Sequence, residues 1–311
     1  VGRELTVAAA QTGPITRSEG RAATVGRLLE LLREASDRGA KLVVFPEATL
    51  TPFFPHWLVA DVDELESYFE RDMPNAHVAP LFDKARELGV GFYLGYCELT
   101  PEGRRFNTSI LVSPDGDVVG KYRKIHLPGY SEPIPGDPFQ NLEKRYFEPG
   151  DLGFGVWDAF GARVGMCICN DRRWPETYRV MGLRGVELIL LGYNTPVHYP
   201  AMAEVDHLQS FHSHICMQAN AYSNGTWVVA SARSGIEEGV DQLGQSSIIA
   251  PSGEIVAMTS SIGDEVITAR ADFDFCQVFK KYMFNLKAHR RPEHYGLICA
   301  PVSETYSREA S

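Results

Sequence analysis

Short apolar runs alternate with amphipathic stretches along most of this chain. Residues 5–10 read as a first strand. From 19 to 38, apolar residues recur at Val25, Leu28, Leu29, Leu32 and Ala35, the spacing of one helix face, and Gly39 ends it. Residues 41–45 are a near-continuous apolar run of the kind buried on both faces, so strand, helix and strand make a parallel unit with a right-handed crossover. Helical character returns at 62–71 and 78–88, and 90–97 is a strand. Residues 106–112 and 118–121 pair as a hairpin across Ser113-Pro114-Asp115-Gly116-Asp117. Strands follow at 163–168, 187–191 and 226–230, separated by a short helix at 175–183 and a long one expected over 202–222. A further hairpin joins 246–250 to 254–257, and 265–269 adds a strand. Residues 52–57 are an aromatic, Pro-broken loop, and between 129 and 155 periodicity lapses into a Pro-, Gly- and Glu-rich segment of a length that in compact domains is usually functional.

No repeat or shift in composition divides the chain, so residues 1–300 are expected to form one α/β domain and 301–311 a loosely ordered tail. An apolar content of 44 % with 23 % charged residues supplies a sizeable core. The net charge of −10 argues against nucleic acid or an anionic membrane as partner, since either is normally met by a basic face. Neither a basic-then-apolar leader nor a run of about eighteen apolar residues is present, and a cytoplasmic protein is expected. The six cysteines are irregularly spaced without a Cys-x-x-Cys pair, which fits reduced thiols better than a disulfide framework.

Chemistry concentrates at predicted strand ends. Cys169 closes the strand 163–168 and precedes a helix holding Pro175 and Glu176, so it sits at an elbow where free amides, a helix dipole, Arg172 and Arg173 favour a thiolate. Cys167 shares its face, and if the strand ends one residue early the nucleophile moves. Cys97, Cys216, Cys276 and Cys299 are expected to be inert core thiols. Glu47 lies just past the strand 41–45, where open α/β sheets place ligands, and Lys124 stands in a basic stretch of an acidic protein. His198, His207, His212 and His214 have poor metal spacing: on a helix His207 and His214 share a face about 10 Å apart while His212 points elsewhere. No Gly-x-Ser-x-Gly elbow or phosphate-binding Gly-x-x-x-x-Gly-Lys loop occurs, and Gly89-Val90-Gly91 lacks the third glycine of the dinucleotide fingerprint. No metal or cofactor is expected.

Phe45-Pro46-Glu47, Tyr122-Arg123-Lys124-Ile125-His126-Leu127 and Cys169-Asn170-Asp171, in that order, resemble the three catalytic motifs of the nitrilase superfamily of carbon–nitrogen hydrolases. Residues 104–109, 142–151, 170–176, 192–196 and 287–290 resemble its N-carbamoyl-D-amino-acid hydrolase (D-carbamoylase) branch, and the likeness runs from about residue 5 to 298. The resemblance implies a four-layer α-β-β-α sandwich and a catalytic triad of Glu47, Lys124 and Cys169. Cys169 is the nucleophile because the family's cysteine immediately precedes Asn-Asp. It further implies that Arg172 and Arg173 hold the substrate carboxylate, with Glu143, Asn170, Asn194, Thr195 and His126 lining the pocket. The implied reaction converts an N-carbamoyl-D-amino acid to D-amino acid, carbon dioxide and ammonia, without a cofactor, in a homodimer or homotetramer. The nearest alternatives are a β-ureidopropionase or an aliphatic amidase. A non-catalytic binding module is the alternative from another class, against which the intact Glu, Lys and Cys positions speak. Asn141 stands where the branch has a histidine, so that contact is expected to be lost or water-mediated, and Cys167 is a second thiol open to oxidation.

Overall fold

In the first strand, Glu4–Gln11, Val7 and Ala9 point to one side and Ala8 and Ala10 to the other, and both sets are buried. Leu42–Val44 behaves likewise, with Leu42 and Val44 on one side and Val43 on the other. Strands covered on both faces need layers above and below them. The computed structural model describes residues 2–137 and 139–301 and builds two six-stranded sheets from such strands. Of the tail expected at 301–311, all but Pro301 lies outside the described residues.

The first sheet runs, in spatial order, Glu265–Asp272, Glu4–Gln11, Leu42–Val44, Gly91–Leu99, Arg105–Val112, Val118–Arg123. The second runs Ile255–Met258, Ser247–Ile249, Trp227–Ala232, Leu188–Tyr193, Ala162–Ile168, Val156–Ala159. Pairing is parallel at the centre of each sheet and antiparallel toward the edges. The inner faces meet: Val7, Val44, Tyr93 and Leu111 pack in one cluster with Val164, Met166, Leu190 and Val229. Helices Arg21–Asp37 and Ala79–Leu88 cover the first sheet through Leu28, Leu32, Leu81 and Phe82. Pro175–Leu183 and Gln209–Asn224 cover the second through Tyr178, Met181, Met217 and Ala221. The result is the helix–sheet–sheet–helix sandwich. Each aliphatic side chain in these layers contributes about 1.5–3 kcal/mol by leaving water, so burial rather than local propensity holds the stack together.

Two glycines let the chain pass between the sheets. A Cβ on Gly95, in the first sheet, would stand 2.7 Å from the carbonyl oxygen of Pro46; one on Gly192, in the second, would stand 2.5 Å from the amide nitrogen of Glu47. The turn 46–48 is thereby held against both sheets. Tyr93 ties the layers beside it, its hydroxyl donating to Cys167 O at 3.1 Å and accepting from Gly192 N at 3.2 Å.

Two expectations about elements are corrected. The long helix expected over 202–222 is 3-10 turns at Pro200–Leu208, broken at Met202 (φ −145°), followed by a helix at Gln209–Asn224. No residue of the 3-10 segment is buried, and the Asp206 carboxylate accepts from Tyr199 N and His198 Nδ1 instead of serving a regular helix. The helix at 62–71 stops at Ser67, because Glu70 bridges to the strand Gly91–Leu99, with Glu70 N donating to Cys97 O at 2.8 Å. The hairpin Ser234–Glu237 with Val240–Leu243, the edge strand Val156–Ala159 and the helix Phe273–Lys281 were not anticipated. These strands have only four residues each, too few to show a period.

Gly192→Ala is expected to cost about 1–3 kcal/mol of stability through overpacking. Gly26→Ala, in helix Arg21–Asp37 with nothing within 4 Å of the added methyl, is expected to stabilise by up to about 1 kcal/mol. Urea unfolding of the two variants checks both signs, and equal midpoints would show that the turn at 46–48 has room to spare.

Candidate active site

Three strands of the two sheets end around one point. Glu47 follows Leu42–Val44, Lys124 follows Val118–Arg123 and Cys169 follows Ala162–Ile168. Glu47 and Lys124 are fully buried and Cys169 keeps 4 % of its surface. Lys124 Nζ donates to Glu47 Oε1 at 2.7 Å and to Glu143 Oε2 at 2.6 Å. Asn107 Nδ2 donates to the same Glu47 oxygen at 2.7 Å, and the Asn194 amide donates to Oε2 at 2.9 Å. Asn107 O accepts from Lys124 N at 2.8 Å, so one residue of the neighbouring strand sets both acid and ammonium. Burial works against the Lys124 charge, but Glu143 and Glu47 outweigh it and hold its proton well above the ordinary lysine range. Glu143 is pushed up to about 7, by burial first, with Lys124 opposing and Glu47 adding to the rise.

Cys169 adopts φ 45°, a left-handed conformation uncommon for a residue with a side chain, and opens a 3-10 turn, Cys169–Arg173. Its Sγ donates to Asn194 O at 3.3 Å, so the two polar ends of the Asn194 backbone link sulfur and Glu47. The expectation that this elbow stabilises a thiolate is corrected. Burial, then the negative charge of Glu47, raise the thiol's pKa against the pull of Lys124 and Arg172. A single 3-10 turn does not repay the desolvation of sulfur, so the resting form is a thiol with an acid–base pair beside it.

Asp171 locks the elbow. Its carboxylate accepts from Ile168 N (3.1 Å), Tyr122 OH (2.7 Å), His126 N (3.0 Å) and His126 Nδ1 (2.8 Å), joining the end of the Lys124 strand to the end of the Cys169 strand. His126 is thus committed to Asp171, with its ring stacked on Trp174 at 5.0 Å. Asn194 Nδ2 donates to Glu47 O at 3.0 Å, and Thr195 Oγ1 accepts from Arg172 Nη2 at 2.8 Å. Arg172 is fully buried; it also donates to Cys169 O at 2.8 Å, lies 3.7 Å from Sγ and stacks on Tyr193. Arg173 differs. It is exposed, its one hydrogen bond among the described residues is a 3.4 Å contact to Asn170 Oδ1, and no carboxylate pairs with it there. Asn170 is half-buried and also donates to His126 O at 3.1 Å.

Cys167 lies fully buried on the face of the second sheet that the helices Pro175–Leu183 and Gln209–Asn224 cover, its thiol pushed well up by burial. Cys97 and Cys276 are buried, whereas Cys216 is half-buried and Cys299 exposed. The core reading fails for Cys299 because the short helices after Lys281 have no buried residues. Two positioning residues, Asn107 and Asp171, were not singled out from the sequence; their place within quoted motifs was the only available signal. Among the described residues no cluster of three or more His, Cys, Asp or Glu is arranged to hold a metal. A concavity of about 740 Å³ lined by Arg3, Arg163 and Lys280 lies at the opposite end of the strand Ala162–Ile168 and contains none of these groups.

A buried carboxylate, an ammonium and a thiol, with a backbone amide at Asn170 free of an intrahelical acceptor, can transfer a proton from sulfur, form a bond to an electrophilic carbon and hold an oxyanion. The chain is 30 % identical to a citrullinase of Francisella tularensis over 90 % of this chain and 94 % of that protein. It is 31 % identical to an N-carbamoylputrescine amidase of Arabidopsis thaliana over 86 % of this chain and 87 % of the relative. A carbon-nitrogen hydrolase from Helicobacter pylori G27 superposes with a TM-score of 0.83 at 23 % identity, covering 96 % of this chain and all of that one, which supports the sandwich fold. No described helix is long and apolar enough to cross a membrane. Residues 6–281 match the carbon-nitrogen hydrolase profile, and the chain therefore belongs to that family, the nitrilase superfamily of enzymes that cleave carbon–nitrogen bonds of amides.

Proposed function

We propose that the enzyme hydrolyses N-carbamoyl-D-amino acids to D-amino acid, carbon dioxide and ammonia, with Glu47, Lys124 and Cys169 as catalytic residues. The observation that carries this reading is Arg173, a residue open to solvent whose guanidinium is crowded enough for burial to lower its pKa and for the charge of Cys169 to be felt, and which has no carboxylate partner among the described residues. A planar fork of this kind suits a substrate carboxylate. Two relatives take their names from ureido compounds, citrulline and N-carbamoylputrescine, which supports a ureido carbonyl as the electrophile. The cation at Arg173 favours an anionic rather than a cationic far end. The D configuration rests on the motif resemblance.

A ureido carbonyl resists attack because two nitrogens donate into it. Glu47 takes the proton of Cys169 as sulfur bonds to the carbonyl carbon. The oxyanion meets the Lys124 ammonium and the Asn170 amide, each such donor contributing about 3–4 kcal/mol to lowering the barrier. Glu47 returns the proton to the departing nitrogen and then activates water against the thioester-like intermediate. Glu143 holds the ammonium in line through its 2.6 Å bond. Arg172, fully buried and bonded through its Nη atoms to Cys169, Thr195 and Ser213, serves the thiol rather than the substrate.

Cys169→Ala is expected to abolish ammonia release from N-carbamoyl-D-phenylalanine while Cys167→Ala keeps most of it; the reverse would overturn the assignment. Arg173→Ala should lower kcat/KM on that substrate roughly 10–100-fold and on uncharged phenethylurea by less than about threefold. Equal losses on both would remove the carboxylate reading. Release from the L enantiomer, N-carbamoyl-β-alanine and a simple amide, measured in parallel, separates a D-carbamoylase from a β-ureidopropionase or an aliphatic amidase.

The pH profile follows from Glu143. Its carboxyl pKa is raised to about 7, so it is charged above that pH and neutral below it. Protonation removes one of the two anions that orient Lys124. kcat/KM is therefore expected to fall as pH drops through about 7, and Glu143→Gln to lose that limb along with most activity. An acid limb unchanged in Glu143→Gln would assign it to another group.

A further inference from the structure

Asn141, where the motif resemblance leads one to expect a histidine, is buried and its Nδ2 donates to the phenolic oxygen of Tyr199 at 2.7 Å. Both partners are fixed from behind. Asn141 O accepts from Tyr130 N at 2.7 Å, and a Cβ on Gly129 would stand 2.1 Å from that oxygen, so the two segments are in contact. Tyr199 N donates to Asp206 Oδ1 at 3.0 Å, and the ring meets Phe139 edge-on at 5.6 Å. The amide uses the phenol as acceptor, and among the described residues no acceptor takes the phenol's own hydrogen. Burial raises its pKa to about 12, so the group is a neutral donor. Asn141 stands two residues before Glu143, whose carboxylate binds Lys124 at 2.6 Å, so the phenol is tied to the segment that carries the partner of the catalytic ammonium. Tyr199 and Asn141 also wall a mainly apolar cavity of about 240 Å³ lined by Tyr130, Ile134, Phe139 and Met202, with Asp137 its one charged residue.

We infer that Tyr199, oriented by Asn141, is a specificity-determining residue that donates its phenolic hydrogen bond to the substrate carboxylate alongside Arg173, with the apolar cavity behind it receiving the side chain. This rests on the carbamoyl amino acid reading. An exposed arginine alone attracts any anion. A neutral donor held at a fixed angle to it selects a two-oxygen acceptor and sets which direction the remaining substituent leaves the α-carbon.

Tyr199→Phe keeps the ring against Phe139 and deletes only the hydroxyl. Steady-state kinetics on N-carbamoyl-D-phenylalanine and phenethylurea are expected to show the ratio of kcat/KM between them falling about tenfold or more, carried by KM of the carboxylated substrate with kcat nearly kept. Asn141→Ala should give a smaller fall in the same ratio, and the double variant should be no worse than Tyr199→Phe, because the amide acts only through the phenol. Unfolding midpoints measured in parallel show whether each variant is folded. A wild-type enzyme without preference for the carboxylated substrate would sink the functional reading and this inference with it. A wild-type preference left intact by Tyr199→Phe, or additive losses in the double variant, would overturn this inference alone.

Discussion

The buried ammonium of Lys124 is the constraint that the rest of the site satisfies. An unpaired charge at that depth is destabilising by several kcal/mol, and breaking one partner of a buried pair commonly costs about 3–5 kcal/mol. Here Glu47 and Glu143 both bind it, so the cation is secure while the anions are in excess. Burial raises Glu143 and the neighbouring thiol first, and that excess adds to both rises. Burial, with the charge of Glu47 behind it, therefore keeps sulfur protonated at rest against the pull of Lys124, and a general base is needed to activate it. Glu47 bridges both demands because one of its oxygens serves Lys124 and the other accepts the amide of Asn194, whose carbonyl takes the thiol.

Two sheets are required to assemble this. Glu47 and Lys124 come from strands of the first sheet, Cys169 and Asn194 from strand ends of the second. The layers are drawn together by apolar inner faces, but their relative position beside the site is set by polar and steric detail. Tyr93 bonds across the gap, Asp171 gathers four donors from both sides, and Gly95 and Gly192 leave room for the turn carrying Glu47. Each is a small feature. Together they turn a generic sandwich into one with a single geometry at the strand ends.

The two consecutive arginines illustrate how tertiary context divides roles that a sequence cannot. Identical in chemistry and adjacent in the chain, they lie on opposite sides of the 3-10 turn Cys169–Arg173. Arg172 is turned inward, and its Nη groups bond Cys169, Thr195 and Ser213. Arg173 is turned outward beside Asn170 and retains an accessible fork. Exclusion from water makes the first a fixed part of the thiol's surroundings, and access to water leaves the second available to a ligand.

Apolar runs located the strands that end at Glu47 and Cys169, because Leu42–Val44 and Ala162–Ile168 are buried on both faces and admit little else, while the strand before Lys124 was legible as 118–121 from the turn at 113–117 and runs on to Arg123. Motif order then gathered the chemical groups before any coordinates. Periodicity failed where stability is not local: at 200–208, where a carboxylate overrides the helix, and in four-residue strands with no room for a pattern. The sequence by itself determined the layered α/β class and the residue types of the site. Only the tertiary structure decided that the thiol rests protonated, which arginine is open and that Asn141 reaches Tyr199. Desolvation and hydrogen-bond partnership depend on what surrounds a group in space, and residues distant along the chain supply it.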